Sequence, residues 1–296
     1  MAEGEEAGQP TPLAKALSTI SAFGPPVAVA TALLVYFGWA RSDAQARAMG
    51  LDVSLFGYTV QDYVLRSISS LFLPLVLLSV VTIAWLAADT WLAGHAVAGR
   101  HRFLLRGVAR GAIYVGVLVA GVGLVVSMIQ PAVGALVLPY VMAAGVLLAA
   151  WGVQLRRLGA AQTAARGPQS GLSAMRTHHK TLESALVFSL VTLLLFWGTA
   201  DFAQAVGRGL AVQVQQNVRY LPRATIYSAT RLAVGAPNVS EQVLGTKTEP
   251  LFKYQGLRLL VLSGGRFFFL EDGWTLQHGT VVILPDNDSI RVELGN

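Results

Sequence analysis

Apolar residues fall into five long blocks before the chain changes character. They run from about Leu17 to Ala40, Ile68 to Ala93, Gly111 to Ile129, Ala132 to Gln154 and Ser184 to Val206. A helix needs about 20 such residues to cross a hydrocarbon core of roughly 30 Å. Inside that core each backbone N–H and C=O must be satisfied within its own segment, so the pattern predicts five transmembrane α-helices. Beyond Val206 the pattern switches to short runs bounded by turn residues. Arg223–Leu232, Leu251–Ser263, Arg266–Leu270, Thr280–Leu284 and the closing SIRVEL read as strands. Gly264 and Gly265 supply a two-residue hairpin turn, since both tolerate positive φ, and Pro285-Asp286-Asn287-Asp288 is turn chemistry. The expected fold class is a membrane α-helical bundle of five transmembrane helices plus a small C-terminal all-β domain, barrel or sandwich. The organisation expected is a disordered cytoplasmic segment at 1–16, a membrane domain at 17–206 and an extracytoplasmic β-domain at 207–296. Gly207 and Gly209 are expected to form a short link between the last two.

Composition supports a membrane address. Of the 296 residues, 54% are hydrophobic and 13% charged, too few charges to solvate a globular surface of this size. Disorder, collagen and coiled coil are excluded, because each requires high charge or a strict short repeat. The cysteine count is zero. Disulfides, thiolate metal sites, iron–sulfur clusters and cysteine nucleophiles are therefore ruled out.

Charge asymmetry sets the expected orientation, because Lys and Arg in short loops are retained on the cytoplasmic side. The loop after the second span carries Arg100, Arg102, Arg106 and Arg110 without an acid between them. The loop after the fourth carries Arg156, Arg157, Arg166, Arg176 and Lys180 against Glu183 alone. In the first loop Arg41, Arg47 and Arg66 are balanced by Asp43, Asp52 and Asp62. This predicts an N-terminus inside and a C-terminus outside. The leading MAEGEEAGQPTPLAK is acidic, the wrong charge for a signal-peptide n-region, so the first span is expected to remain. Arg100, Arg102, Arg106, Arg110, Arg156 and Arg157 then read as lipid headgroup contacts. They lack the interleaved aromatics of a nucleic-acid platform, so no nucleic-acid partner is expected.

Candidate chemistry is sparse. Asp89 and Asp201 are ionisable groups near span ends, a candidate polar membrane site, although neither approaches the midplane. Ala112, Gly116 and Ala120 on the third span, with Gly145 and Ala149 on the fourth, form small-residue faces for helix packing within the chain or for self-association. Prolines 25, 26, 74 and 139 are candidate kink positions. In the first loop Thr59 is a candidate N-cap with Asp62 three residues on. Residues 53–69 then read as an interfacial helix, with Leu55, Phe56, Tyr58 and Tyr63 at the headgroup boundary. His178-His179 lacks ligands at metal spacing, and Asp286 with Asp288 lacks the rest of a calcium loop. No GxSxG elbow, HExxH, Walker A loop, Rossmann glycine pattern or kinase signature occurs. No enzyme activity, catalytic residue, metal or cofactor is expected.

The segments YLPRATIYSATRL, GLRLLVLSGGRFFFLEDGW and VVILPDNDSIRVEL resemble polytopic membrane proteins of high-GC actinobacteria. That resemblance implies a bacterial inner-membrane location and no particular activity. The expected role is non-catalytic: presentation of an extracytoplasmic β-domain for partner binding or envelope sensing, with the lipid bilayer as the constant partner. The alternative is an oligomeric channel or transport component with the β-domain as vestibule.

Overall fold

The computed structural model describes residues 12–97, 102–129, 136–164, 173–246 and 248–295. For 12–25, 91–97, 102–106, 158–164 and 173–180 it describes the backbone alone. Five helices come first: α1 (Pro12–Ala48), α2 (Val60–Val97), α3 (Arg102–Ile129), α4 (Leu138–Ala164) and α5 (Ser173–Asn217). Six strands follow: β1 (Arg223–Ser228), β2 (Ser240–Val243), β3 (Phe252–Ser263), β4 (Arg266–Glu271), β5 (Val281–Pro285) and β6 (Ile290–Gly295). Among the described residues four stretches are long and apolar enough to cross a membrane: Val60–Thr90, Gly107–Ile129, Leu138–Arg157 and Thr181–Tyr220. The expected first span lies in α1, whose early side chains fall outside the described set. Residues 130–135, where the expected fourth span begins, lie outside it too. Pro139 sits in the first turn of α4, where a missing N–H is tolerated, so it starts the helix instead of kinking it.

The chain divides into two compact units: residues 69–206, and residues 1–68 together with 207–296. In the first, α3 and α4 approach backbone to backbone. A Cβ on Gly116 would stand 2.5 Å from the Gly145 carbonyl oxygen and 2.6 Å from the Ala149 nitrogen. One on Gly145 would meet Gly116 O at 2.9 Å and Ala120 N at 3.1 Å. Met142, Ala143 and Leu194 form a small core between α4 and α5. Elsewhere large apolar side chains face outward, among them Phe72, Leu75, Val80 and Ile83 of α2, as lipid solvation requires. Helix hydroxyls turn back onto their own carbonyls, as in Ser79 to Leu75 O (2.8 Å) and Thr82 to Leu78 O (2.7 Å).

In the second unit all six strands share one antiparallel sheet, ordered β5-β4-β3-β1-β6, with β2 also paired to β3. Gly264 (φ +58°) and Gly265 (φ +69°) form the β3–β4 turn with both central residues left-handed, as expected. Gly256 (φ +91°) lets β3 bend where its partner changes from β2 to β4; a Cβ there would lie 2.0 Å from Asn238 O. One face of the sheet buries Ala224, Ile226, Tyr254, Leu257, Phe269 and Leu284. The other buries Phe268 against Ala46, Val53 and Phe56, and Leu270 with Trp274 against Met49, Ala211 and Val218. Two-sided burial explains why β4 reads as the unbroken run FFFL and does not alternate. Two buried charges are compensated. Glu271 accepts the Thr280 N–H at 2.9 Å, and Arg258 pairs with Asp272 and donates to Leu221 O at 3.0 Å.

Three expectations are corrected here. Gly207 and Gly209 are not a link, because α5 continues unbroken to Asn217. Residues 12–16 of the expected disordered segment belong to α1, and residues 1–11 lie outside the described ones. Residues 53–69 are not one interfacial helix: Val53–Phe56 form a 3-10 turn capped by Asp52, Gly57 turns left-handed, and α2 starts at Val60. Phe56 is buried at 5% exposure against the sheet, because an aromatic ring beside an apolar strand gains more from packing than from a headgroup boundary.

Tyr254 offers a stability test. Its ring is fully buried and its hydroxyl accepts the Leu232 N–H at 2.8 Å. Burial pushes its phenol above the usual tyrosine range. Tyr254→Phe leaves that amide unpaired and is expected to cost about 1–3 kcal/mol, read as a lower denaturation midpoint in detergent.

Candidate functional site

A pocket of about 200 Å³ opens within the unit formed by residues 1–68 and 207–296. Its walls come from four places in the sequence. One face of α1 supplies Ser42, Gln45, Ala46 and Met49, positions spaced three and four apart that share a helix side. The loop supplies Phe56 and Tyr58, α2 supplies Arg66, and β3 supplies Leu260 and Val261. Adjacent strand residues normally face opposite ways. The register shift between Leu259 and Val261 lets these two line the same pocket.

Arg66 is held by an aromatic column. Its guanidinium lies over the Tyr58 ring at 3.9 Å; Tyr58 stacks on Phe56 at 5.2 Å, and Phe56 on Phe268 at 4.5 Å. The column is therefore rooted in β4, and Arg66 is carried at its end by a cation–π contact. The loop below is pinned: Ser263 Oγ donates to Phe56 O at 2.6 Å. Gly57 and Gly264 approach so closely that a Cβ on Gly57 would stand 3.1 Å from Gly264 Cα. Thr59 N–H and Oγ1–H each donate to Asp62 Oδ2 at 2.8 Å, and Asp62 N–H returns to Thr59 Oγ1 at 3.3 Å. This is the expected capping arrangement, with Asp in place of Glu.

Electrostatics favour an anion. Among the pocket's lining residues Arg66 is the one charge. Behind it Arg41 donates to Arg66 O at 2.9 Å; burial, then the like charge of Arg66, lowers the Arg41 guanidinium from its ordinary range. Of the nearby carboxylates, Asp43 pairs with Arg47 at 3.0 Å, and Asp62, which accepts from Thr59, also feels the charge of Arg66. Burial raises the Tyr58 phenol, so it stays neutral. Ser42 is 3% exposed, and its hydroxyl has no hydrogen-bond partner among the described residues.

The residues singled out in the sequence fall elsewhere. Asp89 is exposed and accepts the Trp151 indole N–H at 3.2 Å, while Trp151 packs edge-on against Trp85. Asp201 is half-buried on α5, two residues beyond Thr199, whose hydroxyl pairs with that of Tyr140 (3.3 Å). Arg110 and Arg156 are exposed; Arg157 is ion-paired with Glu183. Arg100 and the side chains of Arg102 and Arg106 lie outside the described residues. Ala112, Gly116, Ala120, Gly145 and Ala149 lie on helices whose small faces meet each other within the chain. Gly116→Leu is expected to separate α3 from α4 and lower the unfolding midpoint, at a cost of about 1–3 kcal/mol or more. Gly121→Ala, where a Cβ meets nothing within 4 Å, serves as the control and is expected to leave the midpoint unchanged or raise it slightly. The sequence reading missed Ser42, Gln45 and Arg66 as site residues. The available signal was that positions 42, 45, 46 and 49, just past the first apolar block, share one side if the helix continues.

No protein-family model, curated protein or solved structure matches this chain.

Proposed function

We propose that the protein is a non-catalytic bacterial inner-membrane protein whose chain crosses the bilayer five times, α1 providing the first crossing. The N-terminus is cytoplasmic, and the sheet with its flanking helix ends is extracytoplasmic, where it binds a ligand or partner. Both edge strands share one core, with Leu284 from β5 in the buried cluster against which Ile290 and Val292 from β6 pack, which favours a curled, half-open barrel over a sandwich. The observation that carries the reading is the pocket: a small, partly apolar recess with one held cation and no nucleophile–base pair lining it. Such recesses are built for recognition. The channel alternative draws little from the spans, whose hydroxyls mostly turn back on their own helices.

Because the chain has no cysteine, single cysteines test the orientation cleanly. Asn287→Cys, in an exposed turn, is expected to react with a membrane-impermeant maleimide on intact cells. Gln169→Cys, between α4 and α5, is expected to react only after permeabilisation. The reverse pattern overturns the proposed sidedness.

A further inference from the structure

We infer that the pocket beside Arg66 binds the oxyanion head of an amphiphile, a phosphate with an apolar chain attached. The inference rests on the binding role proposed above and deepens it. Three observations converge. The first is charge: Arg66 is held in place over Tyr58 with Arg41 behind it, and a guanidinium matches phosphate oxygens in a bidentate fork. The second is Ser42, whose almost fully buried hydroxyl lacks a partner although it lines the recess. Such a group normally finds one, and a ligand oxygen supplies it. The third is the apolar part of the lining, where Met49, Leu260 and Val261 suit an acyl or alkyl chain. At about 200 Å³ the recess is smaller than a usual drug-sized site, so it takes the head and the first carbons only, with the remaining chain outside.

Sequence position points to the bilayer as one source. Ser42–Met49 directly follow the first apolar block and Tyr58–Arg66 directly precede the second, which is where headgroups lie. A phospholipid headgroup and a soluble alkyl phosphate present the same chemistry to Arg66 and Ser42.

The test uses the full-length protein in a neutral maltoside detergent, with tryptophan fluorescence reporting thermal unfolding. Dodecyl phosphate is expected to raise the midpoint, and inorganic phosphate at equal concentration is not. Arg66→Gln is expected to weaken the dodecyl phosphate response about tenfold or more, and Arg66→Lys less. Ser42→Ala is expected to raise the ligand-free midpoint, by removing an unpaired buried hydroxyl, and yet to reduce the response to dodecyl phosphate. Competition by phosphatidylglycerol in nanodiscs assigns the site to a membrane lipid; binding of dodecyl phosphate without such competition assigns it to a soluble amphiphile. Either supports the inference. An equal shift with inorganic phosphate, or a response unchanged in both Arg66→Gln and Ser42→Ala, overturns it. The cysteine-labelling result is independent of all these readings, so a failed pocket and a failed orientation are told apart.

Discussion

Alanine at Gly207 is expected to destabilise the protein, while alanine at Gly209, two residues along the same helix, is expected to stabilise it. Both glycines lie inside α5, and helix propensity alone favours alanine at each by about 0.5–1 kcal/mol. Packing separates them. A Cβ at 207 would stand 2.1 Å from the Arg41 carbonyl oxygen and 3.0 Å from the Gln45 nitrogen. These are backbone atoms of α1, which cannot rotate aside as a side chain does. At 209 the added carbon meets nothing within 4 Å. The net expectation is a loss of about 1–3 kcal/mol for Gly207→Ala and a gain of up to about 1 kcal/mol for Gly209→Ala. Equilibrium unfolding in detergent measures both. Equal, small effects at the two positions would return Gly207 to the role of a flexible link. Gly38 makes the same kind of approach, its Cβ position lying 1.8 Å from Tyr63 O. The end of α1 is thus clasped on two sides by glycine contacts, and this fixes the helix face that lines the pocket.

The helices and most strands were legible because their periods differ sharply: long unbroken apolar blocks against short runs cut by glycine and proline. β2 was not, since Ser240–Val243 is four residues of mixed polarity with little buried surface. The loop before α2 was misread for a chemical reason. Phe56 and Tyr58 suit a headgroup boundary and an aromatic stack equally well, and only the partner Phe268, 212 residues later, decides between them. Glycine is ambiguous in the same way, serving flexibility in a loop and close approach in a helix, so Gly207 could not be assigned from its identity alone. The pocket was illegible because no motif holds it. It forms from an α1 face, a loop, one arginine and a strand bulge, and each of these has an ordinary structural meaning when read singly. The small-residue faces were readable as packing surfaces, but their partner was not; the chain supplies it in α3 and α4.

Phe268→Ala is expected to cost about 3–5 kcal/mol, as large core truncations of phenylalanine do. The side chain is fully buried and belongs to the sheet face that meets α1 and the loop, not to the core around Ile226 and Phe269. Removing it takes away the base of the column on which Phe56, Tyr58 and Arg66 are stacked in turn. The cavity cannot collapse easily, because Phe56 is pinned through its carbonyl by Ser263 and through the close Gly57–Gly264 contact. Against a total stability of about 5–15 kcal/mol for an ordinary domain, this is a large fraction. Phe267→Ala truncates the neighbouring ring, which is only half-buried on the opposite sheet face, and is expected to cost distinctly less. Chemical denaturation of the two variants in detergent gives the comparison directly. If Phe56 and Tyr58 were seated in lipid, Phe268 would have little to lose from that loop, and a deficit below about 1 kcal/mol would sink the column as the element that holds Arg66.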